Sequence, residues 1–89
     1  MKNRKSANDY LNEQAFVSRT EDERTYFYVG VLQKTVDKKM FLSGAYKVIG
    51  YEARGLGTAF DIRYHGSLHI REGDIIAVHG NVFIEKSSF

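Results

Sequence analysis

Two histidines and two carboxylates come closest to a metal-binding pattern in this sequence. His65 and His69 are four residues apart, with Asp61 before them and Glu72 after them. On a continuous helix, two ligands at this spacing share a face and can bind one metal ion. Gly66 and the expected end of a strand interrupt that geometry, so solvated histidines are the favoured interpretation. We therefore expect neither a metal nor another cofactor.

Sequence patterns typical of enzymes are also missing. The chain contains no cysteine and no Gly-x-x-x-x-Gly-Lys phosphate loop, and its serines lack the Gly-x-Ser-x-Gly context of an activated nucleophile. Residues 54–57, Arg-Gly-Leu-Gly, are typical of a turn. Glu72 and Asp74 lie at an expected strand start, where a carboxylate commonly caps or turns the chain. The sequence therefore predicts that the protein is not an enzyme.

The charge of the chain gives a mild indication of its partners. Thirteen Lys and Arg against eleven Asp and Glu leave a formal net charge of +2, which is short of the large basic excess typical of nucleic-acid-binding proteins. A local excess lies where Lys34, Lys38, Lys39 and Lys47 are accompanied by the single acid Asp37. Such a cluster is either a solubilising turn or a contact for phosphates.

The length and hydropathy of the chain predict one small domain outside membranes. Its 89 residues are enough for one core and not for two. No apolar run approaches the roughly 18 residues of a membrane helix, and the polar first eight residues do not resemble a signal peptide. We expect no membrane partner and a cytoplasmic protein, or a nuclear one if the source is eukaryotic.

The amino-terminal part, residues 1–24, differs in composition from the rest. A thin apolar stripe at helical spacing predicts a short helix over residues 9–18, after a polar tail. Residues 14–19 tolerate a strand as well, because they contain an Ala-Phe-Val run, and both alternatives stay open.

Four strands are predicted in the remainder of the chain, over residues 26–32, 40–51, 58–65 and 74–84. In the second of these, the even positions from residue 40 to residue 48 form the better core face. In the third, Phe60, Ile62 and Tyr64 are predicted to face the core, and the residues between them the solvent. The following connection leaves room for at most one helical turn, at residues 67–70.

Short strands, turn signals and the lack of a strong central helix predict a mainly β fold. Glycines within the strands, such as Gly44 and Gly80, favour a small barrel over a sandwich, since small barrels need sharply coiled strands. We expect residues 1–24 to form the tail and short helix. Residues 25–89 are expected to form the barrel, either with five strands or open with four.

The last predicted strand carries a resemblance to a known family. Residues 73–83, Gly-Asp-Ile-Ile-Ala-Val-His-Gly-Asn-Val-Phe, resemble the fourth strand of OB-fold nucleic-acid-binding domains, most of all the anticodon-binding domains of lysyl-type aminoacyl-tRNA synthetases. Residues 28–32, 40–42 and 60–64 resemble the first, second and third OB strands. The resemblance extends to small single-OB subunits of single-strand-binding complexes. It implies an OB-like barrel and leaves the ligand open, because OB domains bind several classes of ligand.

Two departures from the family pattern affect the expected assembly. The helix between the third and fourth strands is reduced, and residues 85–89 are too short for a fifth strand. Either residues 14–19 supply this strand, or a second copy of the chain or another protein completes an open barrel. We therefore expect a homo-oligomer or a protein partner. His79 stands where the synthetase family is frequently acidic, so anticodon recognition is not implied.

The resemblance also implies a function. OB domains hold a single strand of nucleic acid across their second and third strands, on aromatic platforms and in a basic groove. The predicted function is sequence-tolerant binding of single-stranded DNA or RNA on the outer face of these strands. The predicted contacts are Tyr28, Lys34, Lys38, Lys39, Phe41, Lys47, Tyr51, Arg54, Arg63 and His65.

The aromatic candidates have structural alternatives. Phe41 can pack under the amino-terminal helix, and Tyr28 can belong to the core. Ile75, Ala77 and Phe83 can form an apolar surface beside an open barrel edge. The alternative function is a non-enzymatic protein-interaction or scaffold module that uses this edge.

Overall fold

Residues 6–86 are described by a computed structural model, and they form one antiparallel sheet of six strands. A 3₁₀ helix, η1 (Ala7–Tyr10), precedes β1 (Gln14–Glu21), β2 (Arg24–Lys34), β3 (Met40–Arg54), β4 (Gly57–His69), β5 (Ile75–Val78) and β6 (Asn81–Ile84). The strands lie in the order β4-β3-β2-β1-β5-β6. The mainly β class is confirmed. Within these residues, however, the sheet has six strands and is not closed into a barrel.

The predicted amino-terminal helix is wrong beyond Tyr10, and the alternative strand is confirmed as part of β1. Ser6 caps the short η1: its hydroxyl accepts the Asn8 N–H at 3.2 Å, and the Asp9 carboxylate accepts the Ser6 N–H at 2.9 Å. Asn12, with φ of 73°, then turns the chain. The strand is favoured because β1 pairs with β2 on one side and with β5 on the other, which satisfies its backbone groups.

The strand predicted over residues 74–84 is two strands joined by a tight turn. His79 and Gly80 have positive φ values of 51° and 78°, the combination that a type I′ hairpin turn requires. On its other side β5 pairs with β1, and Phe16 lies opposite Ala77. Because the chain folds back at Gly80, the sheet gains β6 as an edge strand.

The core lies on one side of the sheet, which we call the inner face. Its buried apolar residues come from η1 and from five strands: Ala7, Ala15, Val17, Tyr28, Leu32, Leu42, Ala45, Leu68, Ile76 and Val78. Three partly buried residues pack against this cluster: Tyr10 and Leu11, in and just after η1, and Phe83 of β6. One cluster can receive side chains from so many strands only if the sheet curls around it.

A bulge in β3 changes which residues face the core. The sequence predicts that the even positions are buried. Leu42 follows this pattern, whereas Tyr46 is exposed and Ala45 is fully buried. Gly44, with φ of 59°, forms a bulge opposite Gly30 that shifts the alternation by one residue. The prediction of an even-numbered core face is therefore wrong beyond residue 44.

The far part of the β3–β4 hairpin extends beyond the core. Phe60, Ile62 and Tyr64 are predicted to be buried, but they are 61%, 50% and 63% exposed. Their alternation is regular, yet no described element covers this part of the hairpin. β4 also continues to His69, so residues 67–69 form strand and not the helical turn for which the sequence leaves room.

A buried ion pair ties β1 to the connection between β4 and β5. Arg19 donates from Nε and Nη2 to the two carboxylate oxygens of Asp74, at 3.0 and 2.8 Å, and both side chains are buried. Arg19 Nη2 also donates to the His69 carbonyl oxygen at 2.7 Å, and the Arg71 N–H donates to Asp74 at 2.8 Å. The hydrogen bonds to Asp74 raise the pKa of Arg19 although its burial opposes this. Arg19 therefore stays charged at every pH below the ordinary pKa of arginine.

The other side of the sheet, which we call the outer face, carries mostly apolar side chains and no Asp, Glu, Lys or Arg within the strands. Cross-strand partners share a face, so the register assigns each strand residue to one side. The large apolar residues of the outer face are Phe16, Phe27, Val29, Val31, Phe41, Tyr46, Val48, Tyr51, Phe60, Ile62, Tyr64, Ile75, Val82 and Ile84. The Asp, Glu, Lys and Arg residues within the strands all lie on the inner-face side: Arg19, Glu21, Arg24, Lys34, Lys47, Glu52, Arg54, Asp61 and Arg63.

We expect Arg19→Met to destabilise the protein by about 3–5 kcal/mol, because it leaves the buried Asp74 carboxylate without its charged partner. That loss is a large part of the roughly 4–13 kcal/mol expected for a chain of this length. Urea unfolding followed by circular dichroism measures it. Arg71→Gln is the matched control, since it breaks only the exposed pair with Glu21 at 2.9 Å and should cost less than about 1 kcal/mol. Equal losses in the two variants would contradict the central role of the buried pair.

Gly30→Ala should destabilise the fold by about 1–3 kcal/mol through overpacking. A Cβ atom on Gly30 would lie 3.0 Å from the Ser43 carbonyl oxygen and 3.1 Å from the Ala45 Cα, both backbone atoms of β3. Gly57→Ala is the control, because nothing lies within 4 Å of a Cβ atom there. The measurement is the shift in the thermal unfolding midpoint, and an unchanged midpoint for Gly30→Ala would show that the β2–β3 contact is looser than described.

Candidate nucleic-acid interface

Three of the predicted contacts lie side by side beyond the core. Lys47 of β3 lies opposite Arg63 of β4 and, on its other side, opposite Tyr28 of β2. His65 follows on the same side of β4, with its ring centroid 5.3 Å from that of Tyr28. The strands thus bring Lys47, Arg63 and His65 onto one inner-face surface, although the sequence predicts them on the outer face of a barrel.

Tyr26 is part of this surface and is not among the contacts that the sequence predicts. Its ring lies under the Lys47 ammonium, with Nζ 4.4 Å from the ring centroid. Tyr26 and Tyr28 are two residues apart in one strand, so period-two alternation places them on the same face. That alternation is the signal by which Tyr26 could have been found.

Tyr28 is a core residue, as the structural alternative proposes. It is 5% exposed, and the Arg19 guanidinium carbon lies 5.9 Å from its ring centroid. Its ring therefore has no free face on which a base could stack. Tyr28 instead fixes the position of His65, whose ring it contacts edge-on.

The remaining predicted contacts lie elsewhere. Lys34, Lys38 and Lys39 are at the β2–β3 turn, six or more residues along β2 from Tyr28 and so about 20 Å away. Tyr51 lies on the outer face beside Phe60, at 6.3 Å between ring centroids. The ten predicted residues therefore do not form one continuous surface.

Phe41 and Arg54 each contact a neighbouring side chain. Phe41 lies on the outer face at the start of β3, half-buried, with its ring 5.9 Å from that of His69. Arg54 Nε donates to the Glu52 carboxylate at 2.8 Å near the tip of the β3–β4 hairpin. Neither residue adjoins Lys47 in the sheet register.

The electrostatics of the inner-face surface favour an anionic ligand. In the part of the chain that the structure describes, neither Lys47 nor Arg63 forms an ion pair. Lys47 is half-buried, and the Tyr26 ring is the group that its ammonium contacts. Arg63 is exposed. Both cations can therefore donate hydrogen bonds to a phosphate without breaking an existing salt bridge.

His65 and His69 point to opposite sides of the sheet, so they do not share a metal ion. Because β4 is bulged near Gly66, His65 lies with Tyr28 on the inner-face side and His69 with Phe41 on the outer face. Residues 6–86 contain no group of three His, Asp or Glu residues that could hold a metal ion. No helix among these residues is long and apolar enough to cross a membrane.

Comparisons of the chain with protein-family models, with curated proteins and with solved structures found no match. The candidate site is the surface formed by Tyr26, Lys47, Arg63 and His65, which we call the cationic surface.

The contact between Lys47 and Tyr26 should be visible by NMR. The aromatic ring current is expected to move the Lys47 ε-methylene protons upfield, because Nζ lies 4.4 Å above the ring. Tyr26→Leu should return them to the ordinary lysine position, whereas the protons of Lys34 should not move. A ¹H–¹³C correlation spectrum tests this, and unshifted Lys47 protons in the unmodified protein would contradict the contact.

Proposed function

We propose that the protein binds single-stranded nucleic acid on the cationic surface, with little sequence preference. The observation that carries the proposal is the pairing of Lys47 and Arg63 across β3 and β4, beside two aromatic rings and without a carboxylate partner among residues 6–86. Lysine and arginine meet phosphates, while the Arg63 plane and the His65 ring offer faces on which bases can stack. None of these groups reads base edges, so the binding tolerates different sequences.

The relation to OB-fold domains belongs to the same proposal. It is supported by the Gly73-Asp74 motif and by an exposed sheet surface on two adjacent long strands, which is where OB domains bind single strands. On this proposal the open sheet is a variant of that barrel. The protein would act where single strands occur, in the cytoplasm or in a nucleus.

Removing the two cations should weaken binding in a salt-dependent way. We expect Lys47→Gln with Arg63→Gln to lower the slope of log K against log salt by about 1.4, since each phosphate contact on a single strand contributes about 0.7. Fluorescence anisotropy with labelled single-stranded DNA and RNA at several salt concentrations measures this slope.

The control variant also removes two positive charges, but at a site away from the cationic surface. Lys38→Gln with Lys39→Gln changes the β2–β3 turn, about 20 Å from the cationic surface, and should leave the slope nearly unchanged. An equal effect in both double variants would show that net charge, and not this surface, governs binding. No binding by the unmodified protein at low salt would refute the function itself.

A protein-interaction role is the second candidate function. β4 is a 13-residue strand at one edge of the sheet, and its outer backbone groups have no partner strand among the described residues. Such an edge can accept a strand from another protein. Binding of that kind should depend little on salt, which separates it from nucleic-acid binding in the same experiments.

A further inference from the structure

The most unusual feature of the fold is that all charged side chains of the strands lie on one side of the sheet. The chain contains 13 Lys and Arg and 11 Asp and Glu, and those within strands all lie on the inner-face side. A solvated sheet face normally carries charged side chains along its strands. An outer face without any, across all six strands, has the composition of the centre of an interface, where charged residues are depleted and aromatic residues enriched.

The apolar side chains of this face are open to solvent in the single chain. Phe16, Phe27 and Tyr51 are 55%, 51% and 74% exposed, and together with Val48, Thr58 and Phe60 they line an open hollow of about 510 Å³. Soluble monomers rarely expose a continuous apolar patch of more than a few hundred Å². We therefore expect another molecule to bury the outer face.

The total solvent-accessible surface of the chain indicates how much area such a partner buries. The chain exposes 6864 Å², whereas a folded monomer of 10.2 kDa exposes about 5,300 Å². Without the eight residues outside 6–86, counted at roughly 1,300 Å² as an unfolded chain, the remaining residues expose about 5,600 Å². A folded monomer of their mass, about 9.2 kDa, exposes about 4,900 Å², so the surplus is about 600 Å². A surplus of about 600–1,500 Å² spans the roughly 800 Å² that one partner buries in a standard interface.

We infer that the outer face is covered by a second copy of this chain, in a two-fold symmetric dimer in which two sheets pack face to face. In such a dimer a residue near the axis meets its own copy, so any charge there would face a like charge. An outer face without charged residues meets this condition along its whole width. Aromatic and β-branched side chains from two sheets can interdigitate at the usual spacing of about 10 Å.

This arrangement is independent of nucleic-acid binding. The cationic surface lies on the inner-face side, so packing the outer faces together leaves one cationic surface exposed on each side of the dimer. It also differs from completion of the sheet at an edge, because it uses side chains and not the backbone groups of β4.

Sedimentation velocity of the full chain, from low to high micromolar concentration, tests the inference. We expect a species of twice 10.2 kDa whose dissociation constant changes little with salt. Phe27→Lys with Phe60→Lys should raise that constant at least about a hundredfold, because each places an unpaired charge in the centre of the interface. Both residues are more than half exposed in the single chain, so circular dichroism should show the monomer still folded.

The matched control is Glu52→Lys, which adds positive charge to the same hairpin on its inner-face side. It should leave the dimer intact. A monomeric unmodified chain at the highest concentration would overturn the inference. So would a dimer that resists the double phenylalanine variant, since it would have to form through an edge, and so would equal dissociation by Glu52→Lys.

Discussion

The buried pair of Arg19 and Asp74 is the constraint on which the rest of the fold depends. Two opposite charges removed from water are tolerated only when their hydrogen-bonding groups are satisfied. Here the Asp74 carboxylate accepts two hydrogen bonds from the Arg19 guanidinium and one from the Arg71 N–H. Arg19 also donates a hydrogen bond to the His69 carbonyl oxygen. One side chain of β1 thereby fixes the end of β4 and the start of β5. These elements are distant in sequence, and the pair holds β1 between β2 and β5.

With β1 fixed in the middle, the sheet acquires two sides of different character. The inner face contains the apolar core and, beyond it, the cationic surface near Lys47 and Arg63. The outer face carries aromatic and aliphatic side chains without Asp, Glu, Lys or Arg in the strands. One long hairpin, β3–β4, contributes to both surfaces because it extends past the core and exposes both of its sides. The two proposed interactions therefore use opposite sides of the same strands and do not compete.

Part of the candidate site could be found from the sequence. Period-two alternation in residues 58–65 places Arg63 and His65 on one side, and the structure keeps them together beside Lys47. Alternation within the second predicted strand places Phe41 on the side of Lys47, but the bulge at Gly44 turns it to the opposite side of the sheet. The loop lysines are predicted to close one end of the same groove, but they lie about 20 Å from Lys47 along the strands. Tyr26 was missed because its partner Lys47 is 21 positions away in the chain, and only the strand register brings the ammonium over the ring.

The sequence by itself determined the mainly β class and the approximate positions of the strands, since alternation and turn residues act over a few neighbouring residues. It could not decide whether residues 14–19 were helix or strand, because that depends on pairing with β2 and β5. It also could not show that Gly44 shifts the alternation of β3 or that Gly80 folds the last strand in two. Above all, alternation shows that two sides differ without showing which is covered. Phe60, Ile62 and Tyr64 look like core residues in the sequence, and only the tertiary structure, in which the core ends near Leu68, leaves them exposed.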